Sequence, residues 1–333
     1  MCYVLCFLLM FGGWVSLGAR SVIRAAIDVG SGGPKLRIAE IDASAHKIVR
    51  ILHVQQYPVI FQNCLSGESR MLSPEIMSQG IKAIEEAIAV ARALHAERIV
   101  IIGTSPFRYA ANGQEFAERI QEKTRIAVHI VDQDLEGKLA FQGALTKSDV
   151  CAEDLIVWDI GGGSTQFIAA SKEGSYWIDT SREGSGKFRD FIIESLQCKS
   201  VKENKSPNPL SRQDARLAEG YARKLACQID PALQKKACAA STKVVGVGSV
   251  FNRGMAWVGK KSLTLEEIAA IAEQLIGKTD EALGGGDFAC IEASNTLLIL
   301  GFMKGLGIRQ VHICDVNNAE GAMLYQPFWE TNQ

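Results

Sequence analysis

One short pattern occurs twice in the chain. "AAIDVGSGGPKLRI" (25–38) and "VWDIGGGSTQFIAA" (157–170) each run an apolar strand into Asp-x-Gly, turn through small residues and return as a second strand. A glycine inside an element costs roughly 0.5–1 kcal/mol relative to Ala. The triplet Gly161-Gly162-Gly163 therefore needs a compensating use, and the usual one is close approach of backbone N–H groups to an anion. Alone, Asp28-x-Gly30-Ser31 reads as an ordinary turn. Paired with Asp159-x-Gly161, it predicts two hairpins that close on a phosphate from opposite sides. An Asp beside each would repel that phosphate directly, but can hold a hard, oxygen-liganded Mg²⁺ between itself and the anion, or orient a water. The candidate metal ligands are Asp28 and Asp159, with Gln166 as a neutral amide donor. The candidate phosphate-binding residues are Gly30, Ser31, Gly32, Gly161, Gly162, Gly163, Ser164 and Thr165.

Around each hairpin the chain alternates strands and helices. Strands are expected at Ala25–Val29, Lys35–Glu40, Lys47–Tyr57, Arg98–Gly103 and within "IAVHIVD" (126–132). Helices are expected over "SPEIMSQGIKAIEEAIAVARAL", capped by Ser73 with Pro74 in its first turn, over "NGQEFAERIQEKT" and over "LEGKLAFQGAL". A second series follows: strands Leu155–Asp159, Thr165–Ala170 and Tyr176–Thr180, then a helical region through Lys187–Leu196. Strand "KVVGVG" (243–248), helix "TLEEIAAIAEQLI", a long helix around Ala293–Leu306 and strand "QVHICD" (310–315) complete it. The polar segment "KSVKENKSPNPLSRQDAR" (199–216) reads as a surface loop and a place for local disorder.

At 333 residues the chain suits two domains. A net charge of −1 without a basic run argues against nucleic acid or anionic membrane as partner. The five His form no metal spacing, and the nine Cys contain no Cys-x-x-Cys. Residues 1–19 are apolar and resemble an export signal, yet no Lys or Arg precedes the apolar run, which is short for a membrane span of ~20 residues. The expectation is a mis-set start on a cytoplasmic protein, with export as the alternative. A stable membrane span is not expected, and a homodimer is the assembly allowed for.

Two further residues carry candidate chemistry. Arg108, after the strand "RIVIIG", reads as a loop or helix-end residue, or as a fork for phosphate oxygens. Glu136 opens a helix, where an acid commonly meets the helix dipole; the alternative is a general base that activates water. "GVGS" (246–249) is one more glycine turn after a strand.

Taken in order from about Arg24 to Gly321, these motifs resemble the exopolyphosphatase/guanosine pentaphosphate phosphohydrolase family of the actin-like ATPase superfamily. "IDVGSGGPKLRI" is similar to its Asp-x-Gly-Ser-Asn-Ser signature and "DIGGGSTQ" to Asp-Ile-Gly-Gly-Gly-Ser-Thr-Glu. "GTSPFRYAANGQEF" places Arg108 on the family's phosphate-contacting arginine, and "LEGKLAFQG" places Glu136 on its catalytic base. "VVGVGS", "LTLEEI" and "CDVNNAEG" follow in the family's order. The resemblance implies an α/β fold of two actin-like (ribonuclease H-like) lobes with an interlobe cleft, here 20–148 and 149–327. It also implies Mg²⁺ dependence and removal of the terminal phosphate from polyphosphate or a guanosine polyphosphate. The alternative is a catalytically weak phosphate- or nucleotide-binding member. Four departures stand out. Gly32-Gly33 replaces Asn-Ser, and Gln166 replaces the acid that would help hold the metal. Leu135 replaces the first acid of a Glu-Glu pair, and Asp132-Gln133 replaces the Ser-Gly before it. The match also ends with two lobes, without the helical extension of longer relatives, which leans toward a short substrate.

Overall fold

The computed structural model describes residues 21–65, 69–171, 175–181, 183–252, 254, 257, 259–286 and 288–330. The leader discussed above lies outside these residues. Strands β1 (Ser21–Gly30), β2 (Gly33–Asp42) and β3 (Lys47–Gln56) form an antiparallel meander, longer at both hairpin ends than the sequence indicates. A short helix α1 (Gln62–Leu65), helix α2 (Pro74–Ala93) and strand β4 (Arg98–Gly103) come next. They are followed by α3 (Ser105–Tyr109), α4 (Gly113–Thr124), β5 (Val128–Ile130) and α5 (Gln133–Leu145). The sheet order is β3-β2-β1-β4-β5, with β4 parallel to β1 and β5 parallel to β4. Helix α2 starts where expected: the Ser73 side chain accepts from the Ile76 N–H at 3.2 Å, and Pro74 is its first residue.

The second half repeats this plan. Strands β6 (Leu155–Ile160), β7 (Thr165–Ala170) and β8 (Tyr176–Ser181) form the meander, and α6 (Ser185–Phe191) follows. Then come α7 (Arg212–Ala226), α8 (Pro231–Ala237), β9 (Lys243–Val247), α9 (Ser249–Asn252) and β10 (Ser262–Thr264). Helix α10 (Leu265–Leu275), α11 (Ala289–Leu306), β11 (Gln310–Ile313) and α12 (Asn318–Leu324) complete the chain. The order β10-β11-β9-β6-β7-β8 puts β9 parallel to β6 and β11 parallel to β9, with β10 added antiparallel at the edge.

Alternation along the strands sorts the core into layers, because neighbouring side chains point to opposite faces. Ile27, Leu36, Ile38 and Ile101 face α2 and α4, whereas Ala26, Ala39, Ile41, Val100 and Ile102 face α12. Ile156, Trp158, Ile160 and Phe167 face α6, α7, α10 and α11, whereas Leu155, Val157 and Ile168 face α5. The chain thus crosses over: α5 covers the second sheet and α12, the last helix, covers the first. The two helices touch, and a Cβ on Gly321 would lie 2.0 Å from the Leu139 carbonyl oxygen.

Helix α11 is long and apolar enough to cross a membrane by length and composition, but it is a core helix here, mostly buried. Its Gly301 and Gly305 let α7 approach until added Cβ atoms would lie 2.4 Å and 2.5 Å from the Cβ atoms of Ala222 and Ala226. The expected loop at 199–216 is shorter than its polarity suggested. Pro207 and Leu210 are buried, and Ser211 caps α7 by accepting from the Asp214 N–H. The buried face of α7 is mostly alanine, which gives little apolar signal.

Candidate active site

In the first hairpin Gly30 pairs with Gly33, leaving Ser31-Gly32 as a two-residue loop. Gly33 has φ +107°, and a Cβ there would lie 2.2 Å from the Tyr57 carbonyl oxygen, because residues 57–59 cross directly over it. The family's serine therefore cannot be accommodated at Gly33, so this departure has a local steric cause.

In the second hairpin Ile160 pairs with Thr165, and 161–164 make the loop. Two backbone hydrogen bonds brace it: the Ser185 N–H donates to Gly161 O at 3.0 Å and the Gly186 N–H to Gly162 O at 2.8 Å. In a trans peptide the carbonyl and the next N–H point opposite ways. The N–H groups of Gly162 and Gly163 are therefore directed away from the brace. None of the three glycines has a left-handed φ, and the nearest atom to an added Cβ is 3.5 Å away at Gly161 and 4.0 Å at Gly163. Among the described residues, neither backbone geometry nor crowding forces glycine at these two positions, and none of them fills the space beside their backbone. At Gly162 an added Cβ would meet Ser31 Oγ at 3.2 Å, so the two hairpins face each other. The Thr165 hydroxyl points elsewhere and donates to Glu183 O at 2.8 Å.

Below the hairpins lie the charged groups. Asp28 is buried, with Lys35 directly opposite it in the β1–β2 register. Lys35 Nζ is 3.8 Å from Asp28 Oδ2, Asn318 Nδ2 donates to the same oxygen at 3.5 Å, and Oδ1 has no partner among the described residues. Burial pushes the Asp28 carboxyl up, while Lys35 and Arg37 oppose the shift. Asp159 is pushed up to about 6, first by burial, with Lys35 opposing and Asp28 adding to it. Gln166 sits opposite Asp159 in the β6–β7 register, and its buried Oε1 has no partner among the described residues. The "GVGS" turn packs on Asp159: Gly248 has φ +86°, and a Cβ there would lie 2.3 Å from Asp159 Oδ1.

Arg108 lies in α3, which Thr104 precedes at the end of β4. Its Nη2 donates to Glu136 Oε2 at 2.6 Å and its Nη1 to Val131 O at 2.7 Å, and its buried Nε has no partner among the described residues. Asp132 caps α5 by accepting from the Leu135 N–H at 2.7 Å, so the helix opens at Gln133, two residues before the expected Leu135. That places Glu136 in the first turn. Burial pushes the Glu136 carboxyl up to about 7; Arg108 opposes the shift, and the charges of Asp159 and Asp28 add to it. Three carboxylates, the Lys35 ammonium and the guanidiniums of Arg108 and Arg37 therefore share one electrostatic space.

The oxygen-rich donor set suits a hard dication. Among the described residues no three of His, Cys, Asp and Glu converge as a preformed cage. Mg²⁺ does not need one, since it keeps waters and substrate oxygens and takes one or two carboxylates. The unpartnered Asp28 Oδ1 and Gln166 Oε1 are oxygen donors of that kind. Sequence reasoning singled out the turn that holds Gly248 but missed Lys35, Asn318 and the Ser185–Gly186 brace. Lys35 could have been found by counting back from the two-residue turn. Asn318 is 290 residues from Asp28, and no local signal ties them.

A model of the Ppx/GppA phosphatase family matches residues 38–326. Among solved structures, the Aquifex aeolicus PPX-GPPA enzyme superposes with a TM-score of 0.72 at 18% identity, covering 92% of this chain and 99% of that one. An exopolyphosphatase from Cytophaga hutchinsonii gives 0.69 at 18% identity, covering 92% and 97%. These two likenesses show the two-lobed actin-like fold. A bifunctional 3-dehydroquinate synthase/phosphatase of Fusobacterium nucleatum is 24% identical over 156 residues, 46% of this chain. The chain spans only 24% of that relative's length. With the family matched over most of its length, the chain belongs to the Ppx/GppA phosphatase family, a family of phosphohydrolases.

Proposed function

We propose that the chain removes the terminal phosphate of a phosphoanhydride, inorganic polyphosphate or a guanosine pentaphosphate, by attack of an activated water. The observation that carries this reading is the Arg108–Glu136 pair, whose carboxyl is held near neutrality. A general base works best when its pKa lies near the working pH. In this reading Glu136 accepts the proton of the attacking water. Arg108 and the N–H groups of Gly162 and Gly163 take the charge that builds on the phosphoryl oxygens. Asp28 and Asp159, with Gln166 as a neutral donor, would hold Mg²⁺, which supplies charge neutralisation of the phosphate chain.

A second reading, a catalytically weak phosphate- or nucleotide-binding protein, is favoured by Gln166, an amide where the family's signature has an acid. One screen separates the two. Phosphate release from polyphosphates of graded length and from guanosine and adenosine nucleotides, with Mg²⁺, is expected to show turnover on at least one phosphoanhydride. Binding without release across the whole set would establish the second reading.

A further inference from the structure

The two hairpins present the same arrangement with different partners. Asp28 on β1 faces Lys35 on β2, and Asp159 on β6 faces Gln166 on β7. Directly opposed residues of an antiparallel pair lie side by side on one face of the sheet, so each acid receives whatever its neighbour offers: a cation in one lobe and a neutral amide in the other.

Among the described residues, the remaining cations of the site are already engaged. Arg108 is paired with Glu136 at 2.6 Å. Arg37 is paired with Glu320 at 2.8 Å and Asp315 at 3.1 Å. Lys35 is left with the two aspartates, 3.8 Å from Asp28 Oδ2 and within electrostatic reach of Asp159. Its side chain is 24% exposed, against 2% for that of Asp28, so the ammonium meets solvent where the carboxylate does not.

From this geometry we infer that Lys35 is the built-in counter-charge of the Asp28–Asp159 pair. Its ammonium balances the carboxylates in the free protein, and a divalent cation enters together with the phosphate chain rather than ahead of it. The inference rests on the phosphohydrolase reading of the same cleft. A dication placed on these oxygens would have a tethered positive charge beside it, and in a partly buried site that repulsion is only weakly screened. Gln166 contributes no compensating charge. A polyphosphate brings several negative charges, gives the ammonium new oxygen partners and frees the aspartates for the metal. Lys35 is thus expected to set the order in which metal and substrate bind.

Mn²⁺ alone is a suitable probe, because its free concentration is read directly by electron paramagnetic resonance. Titrations would use the wild-type chain, Lys35→Met, Lys35→Gln and Lys35→Arg, with the fold of each checked by thermal unfolding. Lys35→Met and Lys35→Gln are expected to bind Mn²⁺ at least about tenfold more tightly than the wild type, as a missing neighbouring charge implies. Lys35→Arg should bind like the wild type. Equal affinity in wild type and both neutral variants would overturn the inference, as would absence of Mn²⁺ binding in the neutral variants at millimolar metal. Phosphate release is scored separately. A tenfold gap in a wild type that releases no phosphate would support the counter-charge while removing the hydrolase reading.

Discussion

At Glu136 two effects oppose each other: burial favours the neutral acid, and the Arg108 guanidinium at 2.6 Å favours the carboxylate. Burial and the neighbouring aspartates win, lifting the group from 4.5 to about 7. A carboxyl raised in the folded state binds more protons there than in the unfolded chain. Its stabilising contribution is complete below about 4.5 and is lost as pH rises through about 7. Asp159, raised to about 6, acts in the same direction. The loss at Glu136 is on the order of 3 kcal/mol. Urea unfolding between about pH 5 and about pH 8 should therefore show stability falling in the wild type and a flatter profile in Glu136→Gln. A parallel pair of profiles would mean that Glu136 titrates normally. Position 166 makes a second prediction at this scale. Gln166→Glu restores a carboxylate opposite Asp159, so hydrolysis should reach half its maximal rate at lower Mg²⁺ than in the wild type. Superimposable Mg²⁺ titrations would place position 166 outside the metal's reach.

The hairpins were readable as elements because their Asp-x-Gly turns and flanking apolar runs are local signals. The brace on the second hairpin was not. It comes from Gly184, Ser185 and Gly186, which only the fold brings against the triplet. The same holds for α7, whose buried alanines carry no apolar signal, and for Asn318, delivered by the last helix. The difference between brace and cradle can be measured with two single-methyl substitutions. A Cβ on Gly184 would lie 2.4 Å from the Ser164 nitrogen, so Gly184→Ala should destabilise the chain by roughly 1–3 kcal/mol. Among the described residues a Cβ on Gly163 would have its nearest neighbour, Gln62 Oε1, at 4.0 Å, so Gly163→Ala should leave unfolding nearly unchanged and weaken phosphate binding instead. Calorimetry of both variants with inorganic phosphate separates the two effects. Normal phosphate affinity in Gly163→Ala would show that the open side of the triplet is not where the anion sits.

Across the whole molecule, the repeat in the sequence told that two halves are built alike, but not the strand order of either sheet or how the halves are joined. The crossing of α5 and α12 between layers is fixed by contacts far apart in sequence. Among them is Arg37 on β2, buried against the fully buried Glu320 and also paired with Asp315 just after β11. Arg24 and Arg98 donate to the carbonyls of Met323 and Trp329 and lie over the Trp329 ring. Removing one partner of a buried ion pair leaves an uncompensated charge. Arg37→Met should thus cost roughly 3–5 kcal/mol in urea unfolding, with part recovered in Arg37→Met/Glu320→Leu. If the double variant is no more stable than the single one, the pair is not what ties α12 to the first sheet. The central claim is that this joined structure holds Glu136 as the base of a phosphoanhydride hydrolase. Its most direct measurement is phosphate release by wild type and Glu136→Gln, on the best substrate of the screen, beside substrate binding by calorimetry. The account predicts turnover lowered ~10²–10⁴-fold in the variant with binding nearly unchanged. Equal turnover in the two proteins would contradict it.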